Sequence, residues 1–151
     1  MRSQAGYSVV ELLTAVGIFG VLAAAGLPHL DTRREAIQGA TQQVVADYRW
    51  TRARAITGGV HFAVRWTDRS TYQVERLRET DSGTWEVDDV VKQVALPPSM
   101  IRWGWPDSVE FDTRGMMVSS QYATWQSIWD TQFDTTRLLT VWPSGQTQEY
   151  D

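Results

Sequence analysis

The sequence predicts an α+β protein in which a long N-terminal helix packs on a C-terminal antiparallel β-sheet head. Three observations carry this prediction. Residues 7–27 form an apolar run that holds a single acidic side chain. A helical periodicity of apolar residues follows this run, and after Gly59 apolar and polar residues alternate with a period of two. The first half of the helix is therefore expected to be transmembrane, and the second half to be amphipathic.

The apolar run has the length of a membrane span. As a helix, residues 7–27 would extend about 31 Å at about 1.5 Å per residue, against a hydrocarbon core of about 30 Å. No Asp, Glu, Lys or Arg occurs from residue 12 to residue 30, whereas Glu11 lies inside the run. A carboxylate at the bilayer centre costs roughly 3 kcal/mol, so such groups usually have a partner or a function. Glu11 is accordingly a candidate functional residue.

Two simpler interpretations of this run stay open. It is a secretory signal peptide if the small residues Ala23, Ala24 and Ala25 form its cleavage site. Against that, only one arginine precedes the run, and Glu11 falls within it. A plain uncleaved anchor is the second interpretation, and it also leaves Glu11 without a reason.

The second half of the helix is predicted from residue 31 to the glycine pair Gly58-Gly59, which stops it. Pro28 is expected to bend the helix rather than end it, which makes residues 7–58 one long, kinked helix. The residues near its apolar face are Ile37, Ala40, Val44, Tyr48 and Ala55, with Val45 and Ile56 beside them.

The remaining chain is predicted to be a β module. Strands are expected in the segments VHFAVRW, TYQVERLR, WEVDDVVKQVALPP, MIRWGW and SVEF, and a terminal hairpin in RLLTVWPSGQTQEY. Gly115 is expected at a positive φ in the turn DTRGMMV. The segment SSQYATWQSIWDTQFDTT has no clear period and is predicted to be a long surface loop, and His61 is expected to face solvent.

Composition excludes several function classes. The chain of 151 residues has no cysteine, which excludes disulfides, thiol nucleophiles and Cys-ligated zinc. It has two histidines, and its net charge of −4 argues against a general nucleic-acid-coating surface. Asp88-Asp89, and Asp107 with Asp112, lack the ligand density of a calcium loop. We find no catalytic constellation, and we expect no enzyme activity, cofactor or metal. Eight tryptophans either fill a core or lie at an interface, where Trp is enriched.

The N-terminus resembles the type IV prepilin signature. That signature is a short leader ending in Gly, an aromatic or methyl-bearing residue, a small residue, two variable residues, Glu, and a long apolar helix. Here it reads Gly6, Tyr7, Ser8, Val9, Val10 and Glu11, and Pro28 stands where pilins often carry a kinking proline.

The rest of the chain is similar, more loosely, to the H-type minor pseudopilins of type II secretion and to FimT-like pilins. RWTRARAITGGVHFAV resembles their junction between an Arg/Ala-rich helix end and the first strand. VEFDTRGMMV resembles their strand-turn, and LLTVWPSGQTQEY resembles their closing hairpin.

The resemblance implies a role for each motif position. Residues 1–6 would be a leader that prepilin peptidase removes between Gly6 and Tyr7, and the new Tyr7 amine would be methylated. Residues 7–30 would be a single inner-membrane helix, and residues 31–151 a periplasmic pilin-like domain. Glu11 would pair with an N-terminal amine during assembly, and a helix N-terminus does favour a carboxylate in its first turns. The implied partners are prepilin peptidase, other pilin or pseudopilin subunits, the inner-membrane assembly platform and membrane lipid.

Two other functions compete with a structural minor subunit of a type II secretion pseudopilus or a type IV pilus. Arg49, Arg52 and Arg54 form a basic patch that would suit a DNA-uptake minor pilin, but the tail GQTQEYD is acidic. A solvated helix face is the favoured interpretation of the patch, and we expect no nucleic-acid partner. The other competitor is a membrane-anchored binding module that does not assemble and that holds a ligand with exposed Trp residues.

Overall fold

The structure is a computed structural model that describes residues 9–26, 28–118 and 122–150. Within these ranges, side chains are described for every residue except those from 22 to 33. The chain divides into two units, Met1–Ala36 and Ile37–Asp151. The second unit, here called the head, contains most of helix α2 and all the strands that the structure describes. It confirms the α+β class with antiparallel sheets.

Helix α1, Val9–Gly26, belongs to the first unit. Its large apolar side chains from residue 9 to residue 21 are each between 57% and 73% exposed, which leaves a continuous apolar surface uncovered by this chain. Of the residues that the structure describes, no helix combines the length and apolarity needed to cross a membrane.

Helix α2, Pro28–Gly58, buries the face that the sequence predicts. Ile37, Val44, Tyr48 and Ala55 are all at most 2% exposed. The helix ends as predicted, because Gly59 adopts a φ of 62° and its N–H donates to the Ala55 carbonyl at 3.1 Å.

Between α2 and residue 150 the described residues form eight strands, which make two antiparallel sheets. The first sheet has the order β3-β2-β1-β5 and the second the order β4-β6-β7-β8. The strands are β1 Phe62–Trp66, β2 Thr71–Glu79, β3 Trp85–Ala95, β4 Met100–Trp105, β5 Ser108–Phe111, β6 Thr124–Asp130, β7 Thr135–Val141 and β8 Thr147–Tyr150.

The predicted surface loop over 119–136 is wrong, since β6 pairs with β4 on one side and β7 on the other. Its alternation is inverted relative to the usual pattern. Thr124, Gln126, Ile128 and Asp130 are buried, whereas the side chains between them are less buried and include Trp125, which is 60% exposed. Polar residues inside and a tryptophan outside remove the hydrophobic period on which a strand prediction depends.

The core lies between α2 and both sheets. The Tyr48 hydroxyl, fully buried on α2, donates to Gln126 Oε1 of β6 at 3.1 Å and accepts from Trp66 Nε1 of β1 at 3.3 Å. The Tyr48 ring also meets Phe111 of β5 edge-on, with centroids 6.4 Å apart. One helix residue thus joins strands of both sheets, and it does so with every polar atom paired.

Candidate functional site

The N-terminal motif is only partly within the described residues. Gly6 and Tyr7, the predicted cleavage and methylation positions, lie outside them. Glu11 lies in the first described turn of α1, with its side chain exposed. Pro28 is the first residue of α2; because Leu27 lies outside the described residues, the predicted bend stays a prediction.

A buried carboxylate anchors α2 to the first sheet. Asp47 is 4% exposed, and it accepts hydrogen bonds from the Tyr72 hydroxyl at 2.6 Å and from Lys92 Nζ at 2.5 Å. Gln43 Nε2, one turn earlier on α2, donates to the same carboxylate at 3.1 Å. Three donors compensate the burial of this charge, so the group is structural rather than reactive.

Two core tyrosines have raised pKa values. Burial raises the pKa of Tyr72 well above its ordinary value, and the hydrogen bond to Asp47 and the charge of that carboxylate raise it further. Burial also raises the pKa of Tyr48, against the smaller opposite effect of its hydrogen bonds with Trp66 and Gln126. Both phenols therefore stay protonated over the physiological range.

The arginine patch is not the purely solvated face that the sequence suggested. Arg49 donates to the Thr147 carbonyl at 3.1 Å, and Arg52 Nε donates to the Gly115 carbonyl at 2.9 Å. Arg54 lies over the Trp50 ring, 5.0 Å from its centroid. Two of the three cations thus bond α2 to the start of β8 and to the turn at Gly115, which weakens the case for a phosphate-binding patch.

Two glycines make this attachment possible. Gly115 has a φ of 74°, as predicted, and Gly145 in the closing hairpin has a φ of 75°. A Cβ at Gly115 would lie 2.6 Å from Ile56 Cδ1, and one at Gly145 would overlap the Gly115 carbonyl oxygen and approach Arg52 Nε at 2.6 Å. The turn, the hairpin and the end of α2 therefore meet without room for a side chain.

His61 does not face solvent, contrary to the sequence prediction. Its side chain is 13% exposed, its Nδ1 lies 2.6 Å from Glu110 Oε1, and its ring stacks on Trp85 at 3.6 Å between centroids. The strand-end position hid this contact, because Trp85 begins β3 across an intervening strand. The arrangement supplies no nucleophile.

Three of the four aspartates weighed as calcium ligands have an arginine partner. Arg76 bonds Asp88, Arg102 bonds Asp107 and Arg114 bonds Asp112, at 2.7–2.9 Å. Among the described residues, no cluster of three His, Asp or Glu is arranged to hold a metal ion.

The tryptophans divide between the core and the surface. Trp66 is 5% exposed and belongs to the core. At the opposite extreme, Trp103, Trp105 and Trp125 are 56%, 74% and 60% exposed. These three line a cleft of about 730 Å³ at the end of β4 and the start of β6, which we call the tryptophan cleft. The number of tryptophans is evident from the sequence, but the proximity of these three depends on the pairing of β4 with β6.

Residues 1–27 match the family model of the prokaryotic N-terminal methylation motif. No curated protein is similar enough in sequence to count as a relative. The match covers the segment in which the prepilin resemblance was identified, and it confirms that resemblance.

Solved structures of low sequence identity share the fold. The type IV minor pilin FimU of Pseudomonas aeruginosa superposes with a TM-score of 0.64 at 14% identity, over 80% of this chain and 92% of FimU. The minor pseudopilin EpsH from the type 2 secretion system of Vibrio cholerae superposes with a TM-score of 0.56 at 17% identity, over 76% of this chain and 96% of EpsH. The chain thus combines an N-terminal methylation motif with a pilin-like fold.

Proposed function

We propose that this protein is a structural minor pilin or pseudopilin subunit, a component of a type IV pilus or of a type II secretion pseudopilus. The observation that carries the proposal is the combination of two independent features in one chain. The methylation motif occupies residues 1–27, and the head has the fold of FimU and EpsH. Either feature alone would be weaker, because a fold does not by itself imply a function.

The uncovered surface of α1 supports membrane anchoring and assembly. Its apolar side chains from Val9 to Val21 are exposed. Contact of such a surface with water is unfavourable, so we expect lipid or neighbouring helices to cover it. We place the span at residues 7–30, beyond both ends of the described part of α1, in the inner membrane as a single pass. Residues 31–151 then form the periplasmic domain. The same helix surface would leave lipid for other subunits when the protein joins a filament from its assembly platform.

Glu11 supplies the specificity of that step. Within the motif, cleavage after Gly6 creates a new amine on Tyr7, four residues before Glu11, about 6 Å along a helix axis. An ammonium group at a helix N-terminus is unfavourable, and an unpaired carboxylate in lipid is unfavourable as well. Pairing Glu11 with the Tyr7 amine, of the same or an adjacent subunit, removes both costs.

The head gives no reason to propose catalysis. Its buried carboxylate Asp47 is held by three donors, and its one described histidine side chain, His61, packs against Trp85 and Glu110. A DNA-uptake role loses support because Arg49 and Arg52 are bonded to the head's own carbonyls. A membrane-anchored module that never assembles would still need an explanation for the methylation motif.

The test is processing in a host that carries prepilin peptidase. The intact mass should show loss of residues 1–6 and the addition of one methyl group. Removing Arg2 changes the formal charge from −4 to −4 − 1 = −5. A mature N-terminus near Gly26 would instead identify an ordinary signal peptide and would refute assembly through α1.

A matched pair of variants locates the cut. Gly6→Val places a branched side chain at the scissile bond and should leave the precursor uncleaved. Ala5→Val makes a similar increase in size one residue earlier and should be processed at close to the parent rate. Equal processing of the two variants would show that Gly6 is not the cleavage position.

A further inference from the structure

We propose that the tryptophan cleft is a binding site for a neutral oligosaccharide. This inference does not depend on assembly into a filament, because it concerns a surface of the head alone. It starts from the arrangement of three exposed indole rings on neighbouring strands.

The register of β4 and β6 places the three rings on one face of the second sheet. Trp105 lies directly opposite Trp125, and Trp103 lies opposite Ser127. Directly opposed residues have Cβ atoms about 5 Å apart, and Trp103 lies on the same side of β4 as Trp105 because side chains alternate. Trp103, Trp105 and Trp125 are thus neighbours on one face of the second sheet, and we call these three residues the platform.

Gly104 allows the two strands to approach each other at this point. It has a φ of 134°, and a Cβ there would lie 2.7 Å from the Trp125 carbonyl oxygen and 2.9 Å from Gln126 Cα. No L-residue with a side chain fits between Trp103 and Trp105 without moving β6. The spacing of the three tryptophans therefore depends on the close approach of the β4 and β6 backbones at Gly104.

Two charged side chains that line the cleft, Asp68 and Arg69, contact neighbouring groups of the protein. Asp68 Oδ1 accepts from the Ser70 N–H and hydroxyl and from the Thr71 N–H. The Arg69 guanidinium carbon lies 5.1 Å from the Trp103 ring centroid.

A buried guanidinium also lines the cleft, and its two terminal nitrogens are paired, whereas its Nε has no hydrogen-bond partner among the described residues. Arg102 is 5% exposed, and it donates to Asp107 Oδ1 at 2.9 Å and to the Gly104 and Pro106 carbonyls at 2.5 and 3.0 Å. Among the described lining residues, two aspartates balance two arginines.

The chemistry left for a ligand is therefore that of aromatic faces beside polar groups without net charge. The face of an indole is electron-rich, and it attracts the polarised C–H groups on the flat side of a pyranose ring. Asp107, whose side chain is 81% exposed, accepts hydrogen bonds from hydroxyl groups at the rim. The volume of about 730 Å³ lies within the range of about 300–1,000 Å³ typical of ligand sites.

Single-stranded nucleic acid also stacks on aromatic platforms, but its sites add a positively charged groove that follows the backbone. The balanced charges of this cleft do not provide one. A neutral sugar chain is the ligand class that matches both the rings and the charge.

The test is isothermal titration calorimetry of the full-length chain, kept in a detergent without a sugar headgroup, since such a headgroup would compete. The probes are the neutral hexasaccharides cellohexaose and chitohexaose, the anionic hexagalacturonate, and oligothymidylate. Saturable binding of at least one neutral hexasaccharide, with the two anionic probes binding more weakly, is the expected result.

Three variants connect the binding to the cleft. Trp105→Ala and Trp125→Ala should each weaken binding by about tenfold or more, as truncation of a central tryptophan commonly does. Trp142→Ala, which removes a tryptophan that is 42% exposed and outside the cleft, should bind within about twofold of the parent. An unchanged far-ultraviolet circular dichroism spectrum and a parent-like urea midpoint check that all three variants fold.

The proposal is overturned if neither neutral hexasaccharide binds, or if Trp105→Ala and Trp125→Ala bind as the parent does. Binding of oligothymidylate alone would identify a nucleic-acid platform instead. Loss of co-purifying pilin-like subunits in the cleft variants, without any glycan binding by the parent, would identify a subunit contact.

Discussion

Helix α1 and the part of α2 from Ile37 onward are both lined with apolar side chains, but the chain treats them differently. Val9, Leu13 and Phe19 on α1 are 65–73% exposed, whereas Ile37, Val44 and Tyr48 on α2 are at most 2% exposed. On α2 even the polar groups are matched, since Asp47 and Tyr48 bond to residues of four strands and to a neighbour on the helix.

This contrast separates a helix face that is buried by the protein itself from one that is available to lipid or to other subunits. The apolar face of α2 is already buried within the head. Substitutions there should therefore change the stability of the head, and should affect assembly only as a consequence of lost stability. The apolar surface of α1 is exposed, so substitutions there should affect assembly and leave the head folded. The predictions below test this separation, beginning with the largest expected effect on the free energy of unfolding.

The largest effect is expected for Tyr48→Asp. It puts an unpaired charge in a site that is 0% exposed, one of the few mechanisms that cost more than about 4 kcal/mol, and the head should unfold. Tyr48→Phe, which keeps the ring and loses the bonds to Gln126 and Trp66, should cost only about 1–3 kcal/mol. Urea denaturation followed by near-ultraviolet circular dichroism measures both, and parent-like unfolding of Tyr48→Asp would contradict the buried face assigned to α2.

A smaller effect is expected at the clamp between the turn, the hairpin and α2. Gly145→Ala should destabilise the head by at least about 3 kcal/mol, because it adds an overlap with the Gly115 carbonyl to the cost of a positive φ. Gly83→Ala is the matched control, since Gly83 has a φ of 78° with open space around it, and it should cost about 1–2 kcal/mol. Equal costs would mean that the close approach contributes nothing.

A third effect should appear only at alkaline pH. Burial and the bond to Asp47 raise the pKa of Tyr72 above its ordinary value of 10.0, so the folded state holds a proton that the unfolded state releases. The stabilisation is complete below about pH 10 and is lost as pH rises further, by at most about 1.4 kcal/mol per pH unit for each such tyrosine. Tyr72→Phe should reduce this slope, and adding Tyr48→Phe should reduce it again; a slope unchanged by both substitutions would contradict the prediction.

The success of the sequence predictions follows the same contrast. The buried face of α2, its glycine stop and the positive φ at Gly115 were predictable, because each depends on local spacing or on one residue's backbone freedom. Strand β6 was missed because it buries Gln126 and exposes Trp125. The bonds of Arg49 and Arg52 join residues 98 and 63 positions apart, and the pairing of Trp105 with Trp125 depends on strand register. Patterns within a short window contain none of these long-range contacts.

The smallest effect on unfolding, and the most informative for assembly, is expected for Glu11→Val. Glu11 lies on the exposed surface of α1, outside the unit that holds the core, so the head should unfold at the parent's urea midpoint. If Glu11 were merely tolerated in an anchor, the substitution would improve insertion and leave assembly intact, since it removes a costly group.

If Glu11 pairs with a Tyr7 amine, Glu11→Val should still insert and still be cleaved after Gly6, but it should fail to join filaments. The amine would then lack its partner in a medium of low dielectric constant, where one unpaired charge costs several kcal/mol. Glu11→Asp, one methylene shorter, should be intermediate. The measurement is the ratio of cleaved protein in sheared or crosslinked filaments to that in the membrane fraction, for the parent and both variants. Parent-like incorporation of Glu11→Val would contradict the pairing hypothesis. The carboxylate would then be dispensable for assembly, the step in which the pairing is expected to offset its unfavourable burial in lipid.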